Sequence, residues 1–230
     1  MATKKKLVVL SGAGISSESG LRTFREMGGL WEEYDVMEVA SPQAWERDPE
    51  LVTRFYNERR KQLLNCQPND GHIILHELEE HFDVEIITQN VDDLHERAGS
   101  TKILHLHGEL IKARSTVDEN LIYELNDWEL TSDSKCEKGS CLRPHIVWFG
   151  EAVPAISEAT EIVSKADILV IVGTSMNVYP AAGLIDYASS NCPIYIIDPN
   201  EINMSSYGNR TFIKEKASIG MRKLFEILVS

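Results

Sequence analysis

The strongest constraint on the fold is a set of short segments that are apolar at nearly every position rather than at every second one. They are Leu7–Leu10, Val84–Ile87, Ile103–Leu106, Ile146–Phe149, Ile168–Val172 and Ile194–Ile197. A strand with one solvated face alternates apolar and polar residues. An unbroken Val/Ile/Leu run needs cover on both faces, which is the condition inside a parallel sheet. Between the runs lie stretches with helical spacing: Gly71–Phe82, Ile156–Ala166, Ala181–Ser190 and Ile219–Val229. This alternation predicts an open α/β sheet with helices on both faces. A chain of 230 residues suits one large domain with a smaller insertion. Its 43% hydrophobic and 26% charged residues exclude disordered, collagenous and coiled-coil classes.

Two stretches break the alternation. Residues 26–70 read as loop plus helix, with Pro42 and Pro49 as punctuation and a helix near Glu50–Leu64; residues 111–143 are polar and irregular. Both are assigned to a small lobe, and residues 1–25, 71–110 and 144–230 to a larger one, within a single domain spanning 1–230. With 23 Lys+Arg against 36 Asp+Glu the formal charge is −13, so neither nucleic acid nor a membrane surface is an expected partner. Four cysteines, at 66, 136, 141 and 192, do not make a disulfide framework in a chain of this length. The apolar run after Met1-Ala-Thr-Lys-Lys-Lys6 is too short for the core of a secretion signal, and no run approaches a membrane span. The expectation is a soluble, cytoplasmic protein.

The residues at the end of each run carry the functional signal. The runs lead into Ser11-Gly-Ala-Gly14, Thr88-Gln-Asn-Val-Asp92, His107-Gly-Glu109, Gly150-Glu151, Gly173-Thr-Ser175 and Asp198-Pro-Asn200. In open α/β sheets ligands lie beyond the carboxyl ends of the strands. Small, polar or titratable groups at six such ends point to a site. Gly12-Ala-Gly14 can turn tightly and let a pyrophosphate approach backbone N–H groups, although a bare tight turn would use the same residues. Ser17 stands where a dinucleotide fingerprint has its third glycine, and no acid ends a second strand roughly 20 residues on, which disfavours an ordinary nicotinamide dehydrogenase. His107 could act as a general base near neutrality or be a hydrogen-bonded strand-end histidine. Tyr56 and Arg59, at i and i+3, share a helix face that could grip a carboxylate or could face water.

The string Gly12-Ala-Gly-Ile-Ser-Ser-Glu-Ser-Gly-Leu-Arg-Thr-Phe-Arg25, followed by Gly28-Gly-Leu-Trp31, resembles the cofactor-binding signature of the sirtuins. Thr88-Gln-Asn-Val-Asp-Asp-Leu-His95, His105-Leu-His-Gly108, Leu142-Arg-Pro-His-Ile-Val-Trp-Phe-Gly-Glu151 and Gly173-Thr-Ser175 are similar to further family blocks in order and spacing. The resemblance runs from about residue 7 to the C-terminus and is nearest the small bacterial branch that includes lysine desuccinylases. It implies a Rossmann-like open parallel sheet with helices on both faces, plus a small lobe formed by two insertions. It also implies NAD as cofactor and His107 as the base acting on a ribose hydroxyl, with His105 left to structure. Cofactor contacts are implied for Gly12, Ala13, Gly14, Glu18, Thr23, Phe24, Arg25 and Trp31. The same holds for Gln89, Asn90, Val91 and Asp92, for Gly173, Thr174 and Ser175, and for Asp198 or Asn200 with Ala217 on the adenine side.

For substrate, the resemblance implies that Tyr56 and Arg59 meet an acidic acyl group. Phe149-Gly150-Glu151 and Val178 would flank an acyl-lysine peptide as strands. Cys136 and Cys141 resemble half of the family's zinc site. Ser115 and Asp118 stand where the other cysteine pair would be, and serine is not a usual zinc ligand, so zinc is not expected. The expected activity is NAD-dependent removal of acetyl, succinyl or malonyl groups from protein lysine, releasing nicotinamide and O-acyl-ADP-ribose. The rival readings are an NAD glycohydrolase or ADP-ribosyltransferase on the same scaffold, and a non-enzymatic module that senses NAD or ADP-ribose.

Overall fold

The computed structural model describes residues 3–21, 35–200 and 209–230. The larger sheet holds β1 (Lys6–Ser11), β2 (Asp83–Thr88), β3 (Ile103–His105), β7 (Ile168–Val172), β8 (Ile194–Ile197) and β9 (Arg210–Ile213). Their order is β3-β2-β1-β7-β8-β9 and every pairing is parallel. Counted within the sheet this is 3-2-1-4-5-6, the doubly wound order whose strand sequence reverses beside the first strand. The crevice at that reversal lies between the ends of β1 and β7.

Both faces of this sheet are covered, which accounts for the unbroken runs. Leu7 and Val9 of β1 pack on one side with Ile74, Leu75 and Leu78, and with Met221 and Leu224. Val8 and Leu10 pack on the other with Ala159, Ile162 and Val163, and with Leu184. The first side belongs to α5 (Asp70–Glu77), the 3₁₀ turn Leu78–Glu80 that ends it, and α8 (Ala217–Val229). The second belongs to α7 (Ile156–Ser164) and Ala181–Tyr187, a 3₁₀ segment where helical spacing predicts a helix. Burying each such aliphatic side chain contributes roughly 1.5–3 kcal/mol, so a polar residue at Val9 or Leu10 would strike the centre of the sheet.

The remaining elements build the second layer. After β1 come α1 (Gly14–Ser17), α2 (Val36–Val39), α3 (Pro42–Arg47) and α4 (Pro49–Leu63), and the short α6 (Leu94–Ala98) joins β2 to β3. The α4 helix starts where Asp48 accepts from Leu51 N–H at 2.9 Å and Pro49 fills the first turn, where its missing N–H costs nothing. Buried Arg60 donates to the carbonyls of Leu110, at 2.7 Å, and Trp128, at 2.6 Å, fastening α4 to the smaller sheet. That sheet is antiparallel, ordered β5-β4-β6 from β4 (Gly108–Ser115), β5 (Ile122–Glu124) and β6 (Leu142–Ile146). The expected strand at Ile146–Phe149 is thus displaced upstream: β6 alternates buried and half-buried residues, and the chain turns after it. The sixth strand of the larger sheet is instead the edge strand β9. Among the described residues no helix is long and apolar enough to cross a membrane.

Candidate active site

The crevice is built by close backbone approach. Gly12 N–H donates to the Val172 carbonyl at 3.1 Å, and Gly14 N–H to the Gly173 carbonyl at 2.8 Å. A side chain at Gly12 would meet Thr174 Cβ at 2.7 Å, and one at Gly173 would meet Ile15 N at 2.3 Å. Gly173 also has φ +64, in the left-handed region that glycine enters without steric cost. Glycine at these positions lets the β1 and β7 turns touch. Ala13 precedes α1 as its cap residue.

Polar groups close the crevice from the β2 side. Gln89 Nε2 donates across it to Thr174 Oγ1 at 3.0 Å. Asn90, Val91 and Asp92 are all buried. Ser16 Oγ donates to Asp92 Oδ2 at 3.1 Å and accepts from Asn90 Nδ2 at 3.1 Å. Leu94 N–H donates to the other Asp92 oxygen at 3.2 Å. Burial pushes the Asp92 carboxyl up, against the pull of these donors and of the nearby His105 and Arg59 charges.

Beneath lies a buried polar layer that sequence reading missed. The β1–β2 register sets Ser11 against Thr88, whose hydroxyls bond at 2.9 Å, and Ser11 Oγ also meets His95 Nε2 at 2.9 Å. His72 Nδ1 accepts the Asn69 N–H at 3.3 Å in the α5 capping box, which leaves Nε2–H to donate to Ser16 at 3.4 Å. Burial pushes the His72 imidazole down to about 4, so it is neutral at pH 7. Its only signal in the sequence is the cap pattern Asn69-Asp-Gly-His72.

His107 lies just beyond β3. Its Nδ1 donates to the Gln89 carbonyl at 3.0 Å, and no protein partner for Nε2 is found among the described residues. That bond fixes the proton on Nδ1 and leaves Nε2 as the basic nitrogen. Burial lowers its affinity for a proton and the Gln89 carbonyl partly restores it; the net shift is downward, so the ring is a free base at neutrality.

On α4, Tyr56 and Arg59 both face inward, 3% and 7% exposed, which removes the water-facing reading of Arg59. Burial drives the Tyr56 phenol pKa up and the Arg59, Arg143 and Glu151 charges act on it, so it is a neutral hydroxyl beside a guanidinium. Arg143 lies 3.6 Å from the centre of the Trp148 ring and bonds Glu151 at 2.9 Å. Glu151 also accepts from Trp148 N–H at 2.8 Å and pairs with Arg114 at 3.4 Å. Its carboxylate is therefore an internal anchor for the 148–151 turn, which leaves the backbone of that turn to meet a peptide.

The expected peptide-flanking strands are not strands in the chain itself. Phe149 and Gly150 form the tip of that turn, with Gly150 at φ +92. Val178 sits in a bend between Met176, at φ 54, and Pro180, which has no N–H to offer a ladder. Ser175 is exposed beside the crevice. At the far edge, Asp198 Oδ1 accepts from Asn200 N–H at 2.8 Å, so the two candidate ribose holders form one turn with Asn200 exposed. Ala217 is buried in the first turn of α8. Both Glu18 oxygens are taken by Ser218, at 3.0 Å from its N–H and 2.9 Å from its hydroxyl; this carboxylate caps α8. Thr23, Phe24, Arg25 and Trp31 lie outside the described residues.

The residues at the half zinc site do not fit a metal. Cys141 pairs with Lys135 across a hairpin and Cys136 with Ser140, which puts the two thiols on opposite faces. Cys136 Sγ lies 3.0 Å from Ser140 Oγ, and Ser115 Oγ bonds Ser140 at 2.9 Å while accepting from the N–H groups of Val117 and Asp118 at 3.2 Å each. The Ser115 and Ser140 hydroxyls lower the Cys136 thiol to about 7. Hydroxyl hydrogen bonds occupy the place of metal bonds here. Among the described residues, no three His, Cys, Asp or Glu side chains gather closely enough to hold a metal.

Comparison with known proteins accords with this geometry. The Sir2 family pattern matches residues 12–180. An NAD-dependent protein deacylase from Bacteroides thetaiotaomicron is 52% identical over 230 residues, covering 98% of each chain. A Sir2 homologue variant in complex with ADP-ribose superposes with a TM-score of 0.90 at 41% identity, over 97% of this chain and 91% of that one. A Sir2 homologue in complex with NAD gives 0.88 at 41% identity, over 97% and 89%.

Proposed function

Because the chain belongs to the Sir2 family, we propose that its crevice carries out NAD-dependent protein deacylation with His107 as general base. The observation behind this reading is the His107 ring. It is partly buried, held by the Gln89 carbonyl through Nδ1, and neutral at pH 7, with Nε2 directed away from that bond. A base of this kind needs a lone pair at working pH and a fixed orientation, and this ring has both.

The residues present fit NAD. The glycine-walled reversal between β1 and β7 suits a pyrophosphate, because backbone there is approachable without side-chain interference. Asn90, Asp92 and Gln89 suit a carboxamide and ribose hydroxyls, since each is already oriented by Ser16 or Thr174. When bound, NAD supplies an electrophilic ribosyl carbon, a nicotinamide leaving group and the hydroxyl that accepts the acyl group. His107 takes up the proton of that hydroxyl at Nε2, and the Gln89 carbonyl supports the imidazolium that results. Tyr56 and Arg59 orient the acyl group, and their burial favours a succinyl or malonyl carboxylate over acetyl. The substrate is an acylated protein lysine, and the acidic surface suits a basic peptide around it.

The test is nicotinamide release with NAD alone, with an acetyl-lysine peptide and with a succinyl-lysine peptide. Release that depends on acyl peptide and matches its loss one for one is expected. Equal release from NAD alone would make the protein a glycohydrolase.

A further inference from the structure

His105 lies two residues before His107 and is not used in the chemistry above. Its ring is nearly closed off from solvent, with the side chain 8% exposed. Both ring nitrogens face acceptors. Nδ1 lies 3.0 Å from the Asn90 carbonyl, and Nε2 lies 2.8 Å from Glu96 Oε1. A carbonyl can only accept, so Nδ1 carries a proton. An ionised carboxylate can only accept, so Nε2 carries one as well.

The place of this ring matters. The carbonyls of Gln89, Asn90 and Val91 are held in succession by His107 Nδ1 at 3.0 Å, His105 Nδ1 at 3.0 Å and the Leu110 N–H at 2.7 Å. Three consecutive backbone groups of the crevice wall thus hang on the segment 105–110. The middle one is tied to the only one of these donors that also carries an ion pair.

We propose that His105 is held as an imidazolium, donating from both nitrogens to the Asn90 carbonyl and the Glu96 carboxylate, and that this clamp positions the Gln89–Asn90 wall against which His107 is oriented. His105 is a positioning residue; it touches no reacting atom. The inference rests on the reading of His107 as base.

The surroundings agree. Burial opposes a charge on His105, but Glu96, Glu109 and the Asn90 carbonyl outweigh it, and the net shift is upward. Glu96 is held below the usual carboxylate range, chiefly by His105 against its own desolvation. The other charged or titratable groups facing this cluster are Asp92, Asp93, the neutral His72 and His95, and Lys112, which is bonded to Glu109 at 2.8 Å. A group with a raised folded pKa keeps its full contribution below the unfolded value of about 6.5 and loses it as pH rises through the folded value. On the alkaline side the clamp therefore loses its charge and its ion pair to Glu96, and a neutral ring keeps only one of its two donors.

The experiment is nitrogen-resolved NMR of the histidine side chains in the full-length protein, with His105 assigned by the loss of its signals in His105→Asn. Two ring N–H protons on His105 at pH 7 are expected; a ring with a single N–H would overturn the proposal. Glu96 lies at the surface, so Glu96→Gln should fold, and it should lower the pH of His105 deprotonation by about one unit or more. Relative to wild type, its kcat/KM should be close to one at pH 5.5 and fall about threefold or more between the His105 deprotonation midpoints of the variant and of wild type. The His107 titration cancels in this ratio, so a flat ratio would show that the charged ring and its Glu96 ion pair have no part in positioning the wall. His107→Ala separates the two claims: an active variant would sink the base assignment, whereas the proton count on His105 is read independently of turnover.

Discussion

Arg59→Met tests whether the inward face of α4 reads the acyl group. Methionine keeps the length and most of the volume of the arginine stem, so the buried position, 7% exposed, is not emptied. What disappears is the cation beside the neutral Tyr56 hydroxyl. A carboxylate brought to this pair forms charge-assisted hydrogen bonds worth about 1.5–3 kcal/mol, and about 1.4 kcal/mol is a factor of ten. The expected loss in kcat/KM for a succinyl-lysine peptide is therefore about 10- to 150-fold. An acetyl group presents no carboxylate, so the same peptide with acetyl-lysine should change less than about threefold. Initial rates of nicotinamide release on the two peptides give both numbers, and a thermal unfolding scan checks that the variant is folded. Equal losses on both substrates would refute the reasoning and make Arg59 a support for its neighbour Asp92, whose carboxyl it helps to ionise.

The geometry fixes three further outcomes. Elemental analysis of purified protein should find well under one zinc per chain, and strong chelator should leave activity intact; stoichiometric zinc would mean that the 115–141 segment rearranges. Gly173→Ala should cost at least about 2 kcal/mol in denaturant unfolding, because it forces a left-handed backbone and a clash with Ile15 together. One contribution to acid stability comes from His72, which titrates near 6.5 unfolded and at about 4 in the fold. Its contribution is complete above about pH 6.5 and declines as pH falls toward 4, a loss of roughly 3 kcal/mol at about 1.4 kcal/mol per unit. Unfolding curves at pH 7 and pH 4.5 should show a steeper loss in wild type than in His72→Gln, and parallel losses would count against this assignment.

How much of the fold and site was legible in the sequence depended on which force placed each residue. The inner strands of the larger sheet are buried on both faces, so β1, β2, β7 and β8 announce themselves as apolar runs. The edge strand Arg210–Ile213 and the smaller sheet do not, because one of their faces is polar or half exposed. Leu142-Arg-Pro-His-Ile146 alternates with period two, and a search for unbroken runs slides past it to the apolar 146–149 segment, which is a turn entry. Tyr56 and Arg59 were readable as a shared helix face, but only packing decides that the face points inward. The destination of Glu151 depends on Arg114 and Arg143 meeting across β4 and β6, a pairing that no local pattern encodes. Glu18 likewise finds Ser218, 200 residues away, through the packing of α1 on α8. The Ser11–Thr88–His95 layer depends on strand register in the same way.

The central claim is that His107 accepts a proton in the deacylation step. Turnover of a succinyl-lysine peptide by His107→Ala, measured beside calorimetric NAD binding, tests it most directly. The predicted result is a fall in turnover of roughly 10²- to 10⁴-fold, with NAD affinity within a few-fold of wild type. Turnover near the wild-type rate, in a variant that still binds NAD, would contradict it.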